Sequence, residues 1–208
     1  RLQGFRHFKI FMLKDNLLLD STRSFSDAPN MDIGCPEHSS EGVPLSWYAL
    51  RVSYSRELKI QGRLKGLGVR TFVPMMWKDK ELVPAVGNLC FAYWTRTCLD
   101  EFIRGYGENS PVHFYWDRTA NRPVVVPEKA MDDFIRVAST LDKDLVYVTE
   151  LSGKLREGQS VKVRKGPFEG VEGKIVRIRK SRRILVELPG MLAVATTYIT
   201  PDCLEIIE

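Results

Sequence analysis

From residue 47 onward the spacing of apolar positions changes period several times, and each change marks an element. Residues 47–53 (WYALRVS) are rich in β-formers and read as a strand. Ser55 follows as the N-cap of a helix, with Glu57 and Leu58 in its first turn. The helix runs to Leu67, with Ile60, Leu64 and Leu67 on one face, and Gly66 and Gly68 end it. Residues 69–74 are the next strand, and residues 75–81 form a polar excursion like a hairpin tip. Residues 89–94 (LCFAYW) are a third strand, too apolar to be exposed on both faces. Residues 97–105 read as a short helix carrying Leu99, Phe102 and Ile103. Residues 112–116 are a fourth strand, 121–123 a turn, and 124–126 lead into Pro127, a good first helical residue with Glu128 behind it. Ala130, Met131, Phe134 and Val137 give that helix its apolar face, and residues 145–149 read as a last strand. This order predicts an α+β fold, an antiparallel ferredoxin-like sheet with helices on one face.

The pattern changes after a polar connection at 153–158. Val161 and Val163 alternate with Lys162 and Arg164, as in a half-buried strand. Residues 166–170 (GPFEG), with Gly173 behind them, are dense turn chemistry, and the glycines there serve positive φ and tight turns. Residues 174–180 alternate again, with Val176 and Ile178 inward. Residues 181–183 read as a hairpin turn, followed by strands at 184–188, 192–199 and 204–207. Five short strands in so short a stretch predict a small five-stranded β-barrel. The expected organisation is therefore a disordered leader or over-extended start at 1–46, a first domain at 47–149, a linker at 150–156 and a second domain at 157–208.

Composition narrows the function class. The chain has 208 residues with 44% hydrophobic and 27% charged, ordinary for a globular protein. Its net charge is +5, and the bias is local: residues 154–183 hold eleven basic side chains against three acidic. Such a run contacts phosphates or is an ordinary solvated surface. Cys35, Cys90, Cys98 and Cys203 form no CxxC pair, and His7, His38 and His113 are scattered, so a zinc site is not expected and reduced thiols are. The sequence carries no P-loop, HExxH or GxSxG pattern, and adjacent pairs such as Asp132-Asp133 point about 100° apart on a helix. The expectation is a non-enzyme with no metal and no cofactor.

The residues then meet a family. The block from 157 to 208, centred on VKVRKGPFEGVEGKIVRI, resembles a KOW domain of SH3-like form. The block opening with WYALRV, with Val73-Pro74 and the NLCFAYW strand, resembles the N-terminal (NGN) domain of NusG-type transcription factors. Residues 111–115 (PVHFY) and the helix after Val126-Pro127 bring the resemblance nearest to the specialised paralogues of the RfaH and UpxY type. The two domains in this order cover residues 47–208.

Three candidate surfaces follow. Arg56, Lys59 and Arg63 lie at i, i+3 and i+7, one helical stripe of cations that contacts phosphates or is simply solvated. The resemblance implies that this helix contacts the exposed non-template DNA strand, with Arg104 and Asn109 as weaker candidates. It also implies docking of Leu89, Phe91 and Tyr93, on one face of a strand, onto the clamp helices of the largest RNA polymerase subunits; the other reading of those three is core. Arg51 departs from the family pattern, where the position is often aromatic. Phe168, in a glycine-rich turn where exposure is expected, is implied to contact a small-subunit ribosomal protein, or else plugs the end of the barrel. The resemblance thus implies a monomeric cytoplasmic antitermination factor, acting on a long surface-polysaccharide operon. The alternative is a ribosome-associated or RNA-binding KOW protein without polymerase contact.

Overall fold

The computed structural model describes residues 44–149, 158–178 and 181–207. The whole of the expected linker at 150–156 and all of the expected leader before residue 44 lie outside the described residues, and Ser46, placed in the leader, opens β1. The described residues all fall within one unit. The chain runs β1 (Ser46–Val52), α1 (Glu57–Gly66), β2 (Arg70–Phe72), β3 (Met75–Lys78), β4 (Glu81–Pro84), β5 (Leu89–Trp94), α2 (Arg96–Arg104), β6 (Val112–Phe114), β7 (Trp116–Asp117), β8 (Arg122–Pro123), β9 (Val125–Val126) and α3 (Glu128–Ala138). It continues as β10 (Val146–Val148), β11 (Ser160–Val163), β12 (Glu172–Ile178), β13 (Ser181–Leu188), β14 (Leu192–Ala195), a 3₁₀ turn (Pro201–Cys203) and β15 (Leu204–Ile206).

The first sheet has the order β2-β5-β1-β6, with β9 also on β1, and every pair is antiparallel. Central β1 and β5 pair over six residues, from Ser46 opposite Trp94 to Arg51 opposite Leu89. This is the ferredoxin-like order that the βαββαβ pattern predicts. β3 and β4 stand apart as a hairpin. Its tip, Asp79 and Lys80, takes positive φ at both positions, as a two-residue turn between twisted strands requires.

The helices do not share one face, and the physical reason is in β5. Its alternate residues feed two different cores. Cys90 and Ala92 pack with Tyr48, Leu50, Ile60, Leu64, Leu99 and Phe102, under α1 and α2. Leu89 and Phe91 pack with Trp47, Ala49 and Phe72 under Met131, Phe134 and Val137 of α3. A strand apolar on both faces needs a layer on each side. Leu67, expected on the buried face of α1, is instead 40% exposed, one residue beyond the helix.

The second sheet has the order β10-β14-β13-β12-β11-β15, again antiparallel. The five expected strands are there, and β10 adds a sixth. The sequence places residues 145–149 with the first half, but β10 pairs with β14, Val146 opposite Ala195. The segment 181–183 is strand rather than turn: Arg182 and Arg183 face Arg177 and Val176 across the hairpin. β14 stops at Ala195, short of the expected 199. Gly166 and Gly170 take φ of +99° and +86° in the turn, as expected. Gly173 serves another purpose. A Cβ there would lie 2.5 Å from the Leu185 carbonyl oxygen, so a side chain would force β12 away from β13.

Cys90 and Cys203 are free thiols, whereas Cys98 is disulfide-bonded, against the expectation of reduced thiols throughout. Burial pushes the Cys90 thiol and the Tyr147 phenol each up to about 12. Both groups ionise more readily once unfolded, near about 8.5 for a thiol and about 10 for a phenol. Their contribution to stability is therefore complete below about pH 8.5 and is lost as the pH climbs toward 12. Urea midpoints should fall between about pH 9 and 12, and less steeply in Tyr147→Phe. Equal slopes for the two proteins would remove Tyr147 from this account.

Candidate nucleic-acid interface

After β1 the chain turns through Tyr54 and Ser55, both at positive φ (62° and 51°), and enters α1. Ser55 is not the N-cap. That position belongs to Arg56, and no side chain caps the helix. Glu57 is buried in the first turn, where its carboxylate accepts the Asn88 backbone N–H. Asn88 in turn accepts the Val52 N–H at 2.9 Å. The start of α1 is thus tied to the loop before β5. The apolar residues Ile60 and Leu64 anchor the helix on its inner side, which leaves Arg56 and Lys59 exposed and Arg63 half-buried.

The structure therefore brings the expected cation stripe together on one helix. Among the described residues, none of the three makes an ion pair. Arg56 and Arg63 sit instead against aromatic rings. The Arg56 guanidinium carbon is 5.4 Å from the centroid of Tyr54, and that of Arg63 is 5.0 Å from Tyr106. Arg104 is exposed at the end of α2, and its Nε donates to the Asp100 carbonyl at 3.3 Å. Asn109 is exposed in the loop that follows. A row of cations without acidic partners keeps its attraction for phosphate, because nothing local neutralises it.

The basic C-terminal run behaves differently. Lys162 meets Glu172 at 3.3 Å, Arg164 meets Glu205 at 3.3 Å, and Lys174 meets Glu187 at 3.4 Å. Arg183 donates to the carbonyls of Asp144 and Thr196, tying the approach to β10 onto the sheet. These four cations of the run are engaged within the fold.

The apolar candidates lie on the other face of the first sheet. Leu89 and Phe91 are buried, and Tyr93 is half-buried beside Trp47, ring centroids 5.3 Å apart. Phe134 of α3 covers Phe91 at 6.4 Å. In this conformation Leu89 and Phe91 are core and do not meet solvent. Phe168, expected to be exposed, is 6% exposed and packs in the same apolar cluster. The reason is α3, which lies between the two sheets and holds the 166–172 turn. Lys129 donates to the Gly170 carbonyl at 3.1 Å, and Arg136 to that of Glu169. Asp133, only 7% exposed, takes the Glu172 N–H at 3.1 Å and pairs with Lys129.

Sequence reasoning missed Tyr54, Tyr106 and Asp133. Tyr54 lies two residues before Arg56 and was legible as an aromatic next to the cations. Tyr106 and Asp133 gain their partners only through folding. Among the described residues, no three His, Cys, Asp or Glu side chains gather to hold a metal ion. No helix among them is long and apolar enough to cross a membrane.

No protein-family model matches the chain, and no curated protein does. Solved structures are similar to it at a distance. One is of NusG from Thermotoga maritima, concerning domain interaction in that protein: 20% identity, 79% of this chain and 98% of the other, TM-score 0.44. Another is an Spt4:Spt5 complex in its conformation B (MjSpt4:Spt5): 16% identity, 78% of this chain and 97% of the other, TM-score 0.26.

Proposed function

We propose that this chain is a cytoplasmic transcription elongation factor of the NusG type, nearest to the RfaH and UpxY antiterminators. It binds RNA polymerase and the exposed non-template DNA strand and so suppresses pausing and termination. The observation that carries this reading is the stripe of Arg56, Lys59 and Arg63, free of acidic partners among the described residues and seated against two tyrosines. The sequence resemblance over residues 47–208 supports the polymerase partner and a long surface-polysaccharide operon as the target. The factor makes and breaks no bond. It acts by favouring the elongating state of the polymerase over the paused one, to the extent that it binds the two unequally.

The proposal carries a structural requirement. The face that holds Leu89, Phe91 and Tyr93 is closed by α3, and α3 is covered by the second sheet. Polymerase contact through Leu89 and Phe91, or ribosomal-protein contact through Phe168, needs this junction to open. The paired cations of the second sheet weigh against the alternative of an RNA-binding KOW protein.

The test is transcription in vitro by the cognate polymerase on a terminator-bearing template with the operon leader. The full chain should raise read-through, and Arg56/Lys59/Arg63→Ala should lose that gain. Equal read-through by both proteins would move DNA recruitment away from α1. No gain with the unmodified chain would remove the antitermination reading.

A further inference from the structure

We propose that the β7–β8 ribbon is a docking element for a protein partner, inserted into a groove that the partner lines with carboxylates. The inference goes beyond the α1 reading and stands without it.

The ribbon leaves the first sheet at a fork. β1 gives one edge to β5, and β6 and β9 share the other. Between β6 and β9 the chain runs out through Trp116 and Asp117 and back through Arg122 and Pro123. Ala49 pins the base. Its N–H donates to the Val124 carbonyl at 3.3 Å, and its carbonyl accepts the Tyr115 N–H at 2.8 Å. The Val124 N–H closes the fork on the Tyr115 carbonyl at 2.8 Å. The tip is bonded as well. One Asp117 carboxylate oxygen accepts the Thr119 and Ala120 N–H groups at 2.9 and 3.1 Å, and Trp116 Nε1 donates to Asn121 at 3.3 Å. A two-stranded ribbon has no core to hold its shape, and this bonding holds it instead. A partner then has little left to order on binding.

The exposed side chains name the partner. Tyr115, Trp116 and Val125 are 41%, 44% and 49% exposed. Arg118 and Arg122 are exposed, and among the described residues neither makes an ion pair. Singly, such residues need no explanation. Gathered on one ribbon, Tyr, Trp and Arg are the side chains that anchor protein interfaces. Asp117, the acid between them, is turned to the tip amides. The charge left facing outward is positive, and its complement is a carboxylate, which a guanidinium grips with two parallel bonds.

The register favours a protein over a nucleic acid. Trp116 stands opposite Pro123 and Asp117 opposite Arg122, so Trp116 and Arg122 leave the ribbon on opposite faces. A single strand stacks its bases on rings while cations on the same face follow its phosphates. The ribbon divides ring and cation between two faces. A groove meets both faces of a ribbon inserted into it.

Photo-crosslinking tests this. The full chain carries Ala120→p-benzoylphenylalanine, at an exposed tip position, and is irradiated in an extract of the native cells. Mass spectrometry then maps the adduct. The expected adduct is to a protein, at a segment rich in Asp and Glu, and Arg118→Glu/Arg122→Glu abolishes it. That protein, once purified, gives affinities for the variants. Trp116→Ala should weaken binding by about 30-fold, as a central anchor does. Arg118→Glu/Arg122→Glu should weaken it at least as much, and it leaves the ribbon's hydrogen bonds in place. Loss in both variants therefore cannot be put down to an unfolded ribbon. An adduct only to nucleic acid, an adduct at a segment without carboxylates, or no adduct would each overturn the proposal. So would affinities within about threefold of the unmodified chain in both variants, since an anchoring side chain contributes more than that.

Discussion

Phe134→Ala is expected to destabilise the protein by about 3–5 kcal/mol, a large effect for one side chain. Phe134 is fully buried. Its ring lies 6.2 Å from Phe72 and 6.4 Å from Phe91 in the first sheet, and 6.4 Å from Tyr147 in the second. One side chain therefore joins both sheets through α3. Its removal leaves a cavity between three aromatic rings on rigid strands, which relax little. The check is urea unfolding followed by tryptophan fluorescence, since the chain has four tryptophans. A loss below about 1 kcal/mol, or two separate transitions in the unmodified chain, would mean that the two sheets do not unfold together through this junction.

Removing the three cations of α1 should change binding as strongly as Phe134→Ala changes stability. Each phosphate contact to a single strand contributes about 0.7 to the slope of log affinity against log salt. Without three of them the slope falls by about 2 and, near about 0.1 M salt, the affinity by about 100-fold. The fold should tolerate Arg56/Lys59/Arg63→Ala. None of the three makes an ion pair among the described residues. The two cation–ring pairs that the variant removes stabilise by only about 0.5–1 kcal/mol each at exposed sites. Titrations at several salt concentrations give both the slope and the affinity. An unchanged slope would show that these residues do not touch phosphate.

The two predictions separate what α1 and α3 do. α1 turns its polar side to solvent with charge to spare. α3 has both its apolar face and its charges engaged. Lys129, Asp133 and Arg136 are all committed to the 166–172 turn. Asp133 illustrates why sequence reasoning passed it over. Adjacent carboxylates on a helix look unremarkable until one of them is buried against a strand that begins 39 residues later.

Local patterns revealed the elements because the signals are local. Period-two alternation at 161–163 and helical spacing of Met131, Phe134 and Val137 each need only neighbouring residues, whereas 121–123, read as a turn, is strand at Arg122–Pro123 because it pairs with β7. Errors gathered where a long-range partner wins. Residues 145–149 read as the last strand of the first domain, yet they pair with β14 of the second sheet. Residues 181–183 are polar enough for a turn, yet pairing with β12 extends them as strand. Ser55 has the chemistry of an N-cap, but the turn that joins β1 to α1 leaves it one residue too early.

Of the candidate site, the cation stripe was legible, because three residues on one helix need no tertiary information to share a face. By itself, the sequence determined the order of elements, the antiparallel α+β character and the surface on which α1 presents its charge. Tertiary structure alone decided which charges stay unpaired, and it paired Lys162, Arg164 and Lys174 of the C-terminal run with acidic partners. It also decided which apolar residues remain available. Leu89, Phe91 and Phe168 have the same side chains whether covered or exposed, and only the placement of α3 between the two sheets buries them. Burial and pairing are properties of contacts between distant segments, and a linear sequence specifies these only through the fold it forms.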